Sequence, residues 1–230
     1  MKIGLVYTST TPELIEQLEN EVKMQLGSDM ELLSYEDASI LADVRESNYV
    51  TSQAATRLLL LYLKAVQDGA EVILNVCSSV GEVADCAQDM ADYIGVPIVR
   101  IDEDMCKDAV RNGCRIGVLA TLSSTLEPTK HTLMRVARIL GKQITLVDGL
   151  IDSAFGLDQA QFKERLLHKV EELIGEVDVI LLCQGSMAYC ESLIHDTYHI
   201  PVLSSPRYGA IALKNALIEK GLLKEEVLPC

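Results

Sequence analysis

Two cysteines in this chain stand at the ends of near-identical apolar stretches. Asp178-Val179-Ile180-Leu181-Leu182-Cys183-Gln184-Gly185-Ser186 repeats Glu71-Val72-Ile73-Leu74-Asn75-Val76-Cys77-Ser78-Ser79: an acid, a Val-Ile-Leu core, a thiol, then small polar residues. A pair of thiols at matched strand ends suits proton transfer at carbon. Inverting a stereocentre takes a base on one face and an acid on the other, and the two exchange roles for the mirror-image substrate. Backbone dipoles can lower a thiol from its reference pKa of roughly 8.5, so one thiolate and one thiol are expected together near neutral pH. A carbanion formed beside a carboxylate then needs hydrogen-bond donors. Cys77 and Cys183 are the candidate catalytic pair. Thr8, Ser9, Ser78, Ser79, Thr121, Ser124, Gln184 and Gly185 are the candidate substrate cradle. Without the repeat, each cysteine reads as an ordinary buried thiol.

The elements around these residues alternate. Ile3-Gly4-Leu5-Val6-Tyr7 reads as a strand, Thr8 to Pro12 as a turn whose hydroxyl residue caps a helix with Pro12 in its first turn. Met30 to Ser34 is a short strand, and residues 35–50 are polar and irregular, which predicts a mobile loop near a site. A buried helix over 51–67 ends at Gly69. The first cysteine stretch, a helix over about 80–94 and the strand Val96-Pro97-Ile98-Val99-Arg100-Ile101 follow. Arg115-Ile116-Gly117-Val118-Leu119-Ala120-Thr121 then echoes the start of the chain, again with a polar loop and a helix with Pro128 near its start. A strand over 144–147, a helix over 158–174, the second cysteine stretch, a further helix, the strand Ile200-Pro201-Val202-Leu203 and a closing amphipathic helix over 209–220 complete the series. Such alternation predicts parallel β-α-β units in an α/β fold.

Gly4 and Gly117 lie 113 residues apart, Cys77 and Cys183 106, Pro97 and Pro201 104. Three landmarks in one order predict a duplicated unit of about 110 residues and two pseudo-symmetric lobes, each a doubly wound parallel sheet. The lobes are read as residues 1–98 with 206–230, and 99–205. Ligands of such sheets bind beyond the carboxyl ends of the strands, so the active site is expected in the cleft between the lobes.

Composition narrows the function. A net charge of −14 argues against nucleic acid but leaves room for a small anionic substrate held by hydroxyls and backbone N–H groups. The opening residues lack an export signal, and the longest apolar block, Leu58 to Leu63, is too short for a membrane span. Seven cysteines without a Cys-x-x-Cys pair suit neither a disulfide framework nor a zinc site, so a cytoplasmic location is expected. Cys86, Cys106, Cys114, Cys190 and Cys230 have no matched partner and read as buried or incidental thiols. His131, His168, His195 and His199 show no ligand spacing, so no metal is expected, and glycine-rich phosphate motifs are absent. Arg45 and Arg207 are the cations placed to neutralise a second carboxylate, though each reads first as a solvated side chain.

On these motifs the chain resembles the aspartate/glutamate/hydantoin racemase superfamily over nearly its whole length. The family's Cys-Asn-Thr stands here as Cys77-Ser78-Ser79, its Gly-Thr-x-x-Thr strand end as Ala120-Thr121-Leu122-Ser123-Ser124, and its second motif as Leu182-Cys183-Gln184-Gly185-Ser186-Met187. The resemblance implies two lobes with one catalytic cysteine each, an isomerase of the racemase or epimerase type, no cofactor, a homodimer, and a last helix after Pro206 that crosses back to the first lobe. Thr8-Ser9 replaces the Asp-Ser of glutamate racemases, and Gln184-Gly185 replaces their Thr-His, which points away from glutamate, while the second motif with Gly185 and Met187 resembles the hydantoin branch. Cis–trans isomerisation of an unsaturated diacid, also found in this superfamily, and non-catalytic binding of a small anion are the competing expectations.

Overall fold

A computed structural model describes residues 1–224; Cys230 lies outside the described residues. Two four-stranded parallel sheets form the frame. The first, in the order β2-β1-β3-β4, uses β1 (Lys2–Tyr7), β2 (Glu31–Glu36), β3 (Val72–Asn75) and β4 (Ile98–Arg100). The second, in the order β6-β5-β7-β8, uses β5 (Arg115–Ala120), β6 (Thr145–Leu150), β7 (Val179–Leu182) and β8 (Val202–Ser204). The two orders are the same when the second half is numbered from its own start. This is the α/β, two-lobed, doubly wound arrangement expected from the repeat. β4 carries Val99 and Arg100 into the first sheet, two residues past the boundary read from the sequence.

Helices cover both faces of each sheet because the strand interiors are apolar on both sides. On the first sheet, Ile3, Leu5, Tyr7, Val72, Leu74 and Val76 pack against α1 (Pro12–Leu26) and α10 (Ser205–Glu219). The other face, with Val6 and Ile73, is covered by α2 (Ala38–Ser47), α3 (Ser52–Gln67), α4 (Gly81–Cys86) and α5 (Gln88–Ile94). On the second sheet, Ile116, Val118, Ala120, Val179, Leu181 and Cys183 meet α6 (Glu103–Asn112) and α7 (Ser123–Ile139). Leu119, Ile180 and Leu182 meet α8 (Gln159–Leu173) and α9 (Glu191–Tyr198).

Thr11 caps α1 through its hydroxyl, with Pro12 as the first helical residue, as the sequence predicts. Residues 35–50 differ from the expected loop. β2 runs on to Glu36, and Asp37 caps α2 by accepting from the Ser39 N–H. Ile40, Leu41 and Val44 fall on one side of that helix and are buried, so an apolar stripe organises a segment whose average composition is polar. The expected single helix over 80–94 is broken at Ala87, where the Gln88 side-chain amide donates to the Ala84 and Ile98 carbonyls. Helix α6 has no counterpart among the elements read from the sequence. Its charged residues mask the pairs Met105/Cys106 and Ala109/Val110, which are buried in the second lobe.

The lobes exchange helices. α6 follows the last strand of the first sheet yet packs on the second, and α10 follows the last strand of the second yet packs on the first. Gly209 lets α10 approach closely, since a Cβ there would lie 2.7 Å from Ile101 Cγ1 and 3.3 Å from Ile101 Cα. Gly209→Ala is predicted to cost about 1–3 kcal/mol through overpacking, read as a lowered urea midpoint; an unchanged midpoint would disprove the tight approach.

Candidate active site

A cavity of about 500 Å³ opens between the lobes at the carboxyl ends of both sheets. Thr8, Ser9, Cys77, Ser78, Ser79, Thr121, Gln184 and Gly185 are among its lining residues. Cys183 also lines it, but Ser124 does not: its hydroxyl is buried without a hydrogen-bond partner. Leu14, Leu41, Phe155, Leu157, Phe162, Met187 and Tyr189 supply its apolar lining. The chain contains two phenylalanines, and both line the cavity. Among the described residues, no lysine, arginine or histidine lines the cavity, while Glu13 and Asp158 do. Arg207 is exposed and outside it. Arg45 is also outside, with its guanidinium 4.4 Å from the centroid of the Phe155 ring.

Cys77 follows β3 and precedes a 3-10 turn over Ser78–Val80. Its backbone is fixed by Asn75, whose amide donates to the Cys77 carbonyl at 2.9 Å and accepts from the buried Tyr62 hydroxyl at 3.0 Å. Ser79 meets Thr125 of α7 at 2.8 Å, tying this turn to the other lobe. Burial pushes the Cys77 thiol above its usual pKa, while the Thr8 hydroxyl, the Ser79 and Val80 N–H groups and the Ser79 hydroxyl pull it down. The Thr8 hydroxyl is itself buried and makes no hydrogen bond of regular geometry. Desolvation outweighs the donors, so Cys77 is a thiol near neutral pH and is not lowered to the thiolate expected from sequence for one member of the pair. The same donors meet the sulfur when it ionises.

The second half is not a copy at this point. In the first sheet Gly4 pairs with Ile73, and in the second Gly117 pairs with Ile180. Three residues past each of these isoleucines, the Val76 N–H donates to the Val6 carbonyl, as the Cys183 N–H donates to the Leu119 carbonyl. Cys183 therefore matches Val76, and Gln184 matches Cys77. Each of the latter pair immediately precedes a 3-10 turn, with φ/ψ of −134°/115° at Cys77 and −106°/131° at Gln184.

A one-residue offset in a strand turns a side chain to the opposite face. Cys183 accordingly belongs to the core with Val179, Leu181 and Cys106, and is fully buried. Burial pushes its thiol well above the usual range, opposed by the Thr129 hydroxyl, with Asp102 and Asp148 adding to the rise. This departs from the symmetric arrangement expected of two matched thiols. The apparent alignment of the cysteines in the sequence comes from skipping one residue, since Asn75-Val76 precedes Cys77 where Leu182 alone precedes Cys183.

Cys183 and Cys106 are both neutral and held above their ordinary pKa by burial. The folded state thus keeps protons that the unfolded chain loses above about pH 8.5. Stability should be complete below that pH and fall as pH rises towards the folded-state values, by up to about 1.4 kcal/mol per pH unit for each group. Urea titrations from pH 8 to 10.5 are expected to show the decline, and Cys106→Ala with Cys183→Ala should make it shallower, leaving the part carried by the raised Cys77 and Cys190 thiols. A wild-type midpoint independent of pH would refute the buried-thiol assignment.

Among the described residues, no helix is long and apolar enough to cross a membrane, and no group of three His, Cys, Asp or Glu is placed to hold a metal. No curated protein matches the chain. Among solved structures, allantoin racemase from Klebsiella pneumoniae is 18% identical with a TM-score of 0.65, covering 100% of this chain and 96% of its own. Glutamate racemase from Bacillus anthracis is 14% identical with a TM-score of 0.74, over 99% and 85%. The aspartate racemase of Picrophilus torridus is 14% identical with a TM-score of 0.64, over 96% and 94%. At these identities the likeness is one of fold. The family model for Asp/Glu/hydantoin racemase matches residues 3–213, and the chain belongs to that family.

Proposed function

We propose that the protein is a cofactor-independent isomerase of the racemase or epimerase type, exchanging the proton on a carbon α to a carboxylate or carbonyl, with Cys77 as the acid/base group. The observation that carries this reading is the setting of the Cys77 thiol, beside donors that stabilise its charged form and lining the interlobe cavity. Cys77 takes the α-proton, and Thr8, Ser78, Ser79 and Thr121 supply hydroxyls for the negative charge that moves onto oxygen.

The lining supports a substrate class. A second carboxylate would find no cation among the described lining residues and would meet Glu13 and Asp158, so aspartate and glutamate fit poorly. A ring or mono-anion with an apolar substituent fits better, for instance a hydantoin or an α-amino acid whose side chain lies against Phe155, Phe162 and Met187. In heavy water, 5-benzylhydantoin or phenylalanine should gain α-deuterium faster than glutamate. Preference for glutamate would contradict the class.

A second reading, a two-thiol exchange between Cys77 and Cys183, is favoured by the presence of Cys183 in the cavity lining. It requires Cys183→Ala to abolish inversion. A cysteine adduct without α-deuteration would instead support cis–trans isomerisation. Ligand-induced stabilisation that survives Cys77→Ala, with no turnover, would support binding alone.

A further inference from the structure

We infer that Gln184, clamped by Thr121, is the group that the second lobe presents in the place corresponding to Cys77, so that the site holds one thiol for proton transfer and an amide on the other side. This rests on the proton-transfer reading above. The match runs through backbone and side chain alike. Thr8 and Thr121 are equivalent through the Gly4 and Gly117 ladders. Thr8 sits beside the Cys77 thiol, and Thr121 holds Gln184: its N–H donates to Gln184 Oε1 at 2.9 Å, and Gln184 Nε2 donates to Thr121 Oγ1 at 2.6 Å. That pair of bonds fixes which end of the amide is which.

A primary amide has two N–H donors. Thr121 takes one, leaving the second for a substrate oxygen. An amide neither takes nor gives a proton near neutral pH, so it cannot serve as the opposing acid. Cys183, turned into the core one residue earlier, does not substitute for it.

The step this permits is one-sided. The Cys77 thiolate takes the α-proton, forming S–H as C–H breaks, and the electron pair moves onto the carboxylate or carbonyl oxygen, where Gln184 donates a hydrogen bond. The thiol exchanges its proton with solvent and returns one to the same face. The expected signature is exchange with retention, with inversion lagging until a proton reaches the other face by another route.

Two measurements test this. In folded wild type, iodoacetamide labelling mapped by peptide mass should modify Cys77 at least about 100-fold faster than Cys183, and in Gln184→Cys the introduced thiol should label within about tenfold of Cys77. Cys183 reacting as fast as Cys77 would overturn the inference. In heavy water, each enantiomer of 5-benzylhydantoin or phenylalanine should gain α-deuterium at least about tenfold faster than it inverts, after correction for the spontaneous rate. Gln184→Cys should bring inversion towards parity with exchange. Equal exchange and inversion in wild type, both lost in Cys183→Ala, overturns the one-base inference while leaving the proton-transfer reading intact. Absence of wild-type exchange on either probe or on any other 5-substituted hydantoin or α-amino acid overturns both.

Discussion

Replacing Cys77 with alanine is expected to lower α-proton exchange by about 10²- to 10⁴-fold, the range typical of removing a general acid or base. Little else should change. The Asn75 and Tyr62 contacts that hold this part of the backbone do not involve the thiol, so the variant should stay folded with ligand affinity within a few-fold of wild type. The pH profile of kcat/KM adds an independent check. Because burial holds the Cys77 thiol above its usual value, the thiolate fraction keeps growing past pH 8.5, and the rate should still be rising there. A plateau beginning near pH 7 would mean that a different group carries the proton. Exchange that survives Cys77→Ala within twofold would remove the proposed function altogether.

Arg100→Met is expected to be the most destabilising single change outside the cavity, by about 3–5 kcal/mol, because it leaves a buried carboxylate without its partner. The Arg100 side chain is 5% exposed and grips Asp102 with Nε and Nη2, both at 3.0 Å. Nη1 reaches Asp85 of α4 at 2.6 Å, and Nη2 also donates to Thr132 of α7 at 2.9 Å. Burial works against the guanidinium charge, but Asp102 and Asp85 more than offset it. Gly81 lies against the guanidinium, and any Cβ there would collide with it. This one side chain therefore ties the end of β4 to α4 and, across the lobe boundary, to α7. A drop in Tm of roughly 6–20 °C is expected for a chain of this size. Arg100→Met with Asp102→Leu should cost less than Arg100→Met alone, since an apolar pair leaves no stranded charge. If Arg100→Met shifted Tm by under 2 °C, the cluster would not hold the lobes together.

The alternation of strands and helices, the capping by Thr11 and Pro12, and the repeat of Gly4 at Gly117 were all legible in the sequence, because they are local patterns of period and turn chemistry. So were the cysteine and hydroxyl residues that cluster at the strand ends, since a parallel sheet sends every such end to the same edge. Helix α2 was less legible because the few residues of its buried stripe are diluted by polar neighbours. The apolar lining was harder still, because Leu41, Phe155 and Phe162 come from separate stretches with no shared motif.

What the sequence by itself determined is the architecture: two lobes of the same winding with polar strand ends facing a common cleft. Only the tertiary structure decided which residue each strand end offers to that cleft. The ladder bonds of Val76 and Cys183 fix a register that composition does not encode, and with side chains alternating every residue, one extra position before Cys77 is enough to leave Gln184, not Cys183, in the matching place. The crossing of the last helix was an expectation of the family resemblance, but that of α6 was settled only in three dimensions, by which apolar face the helix could reach after its strand ended.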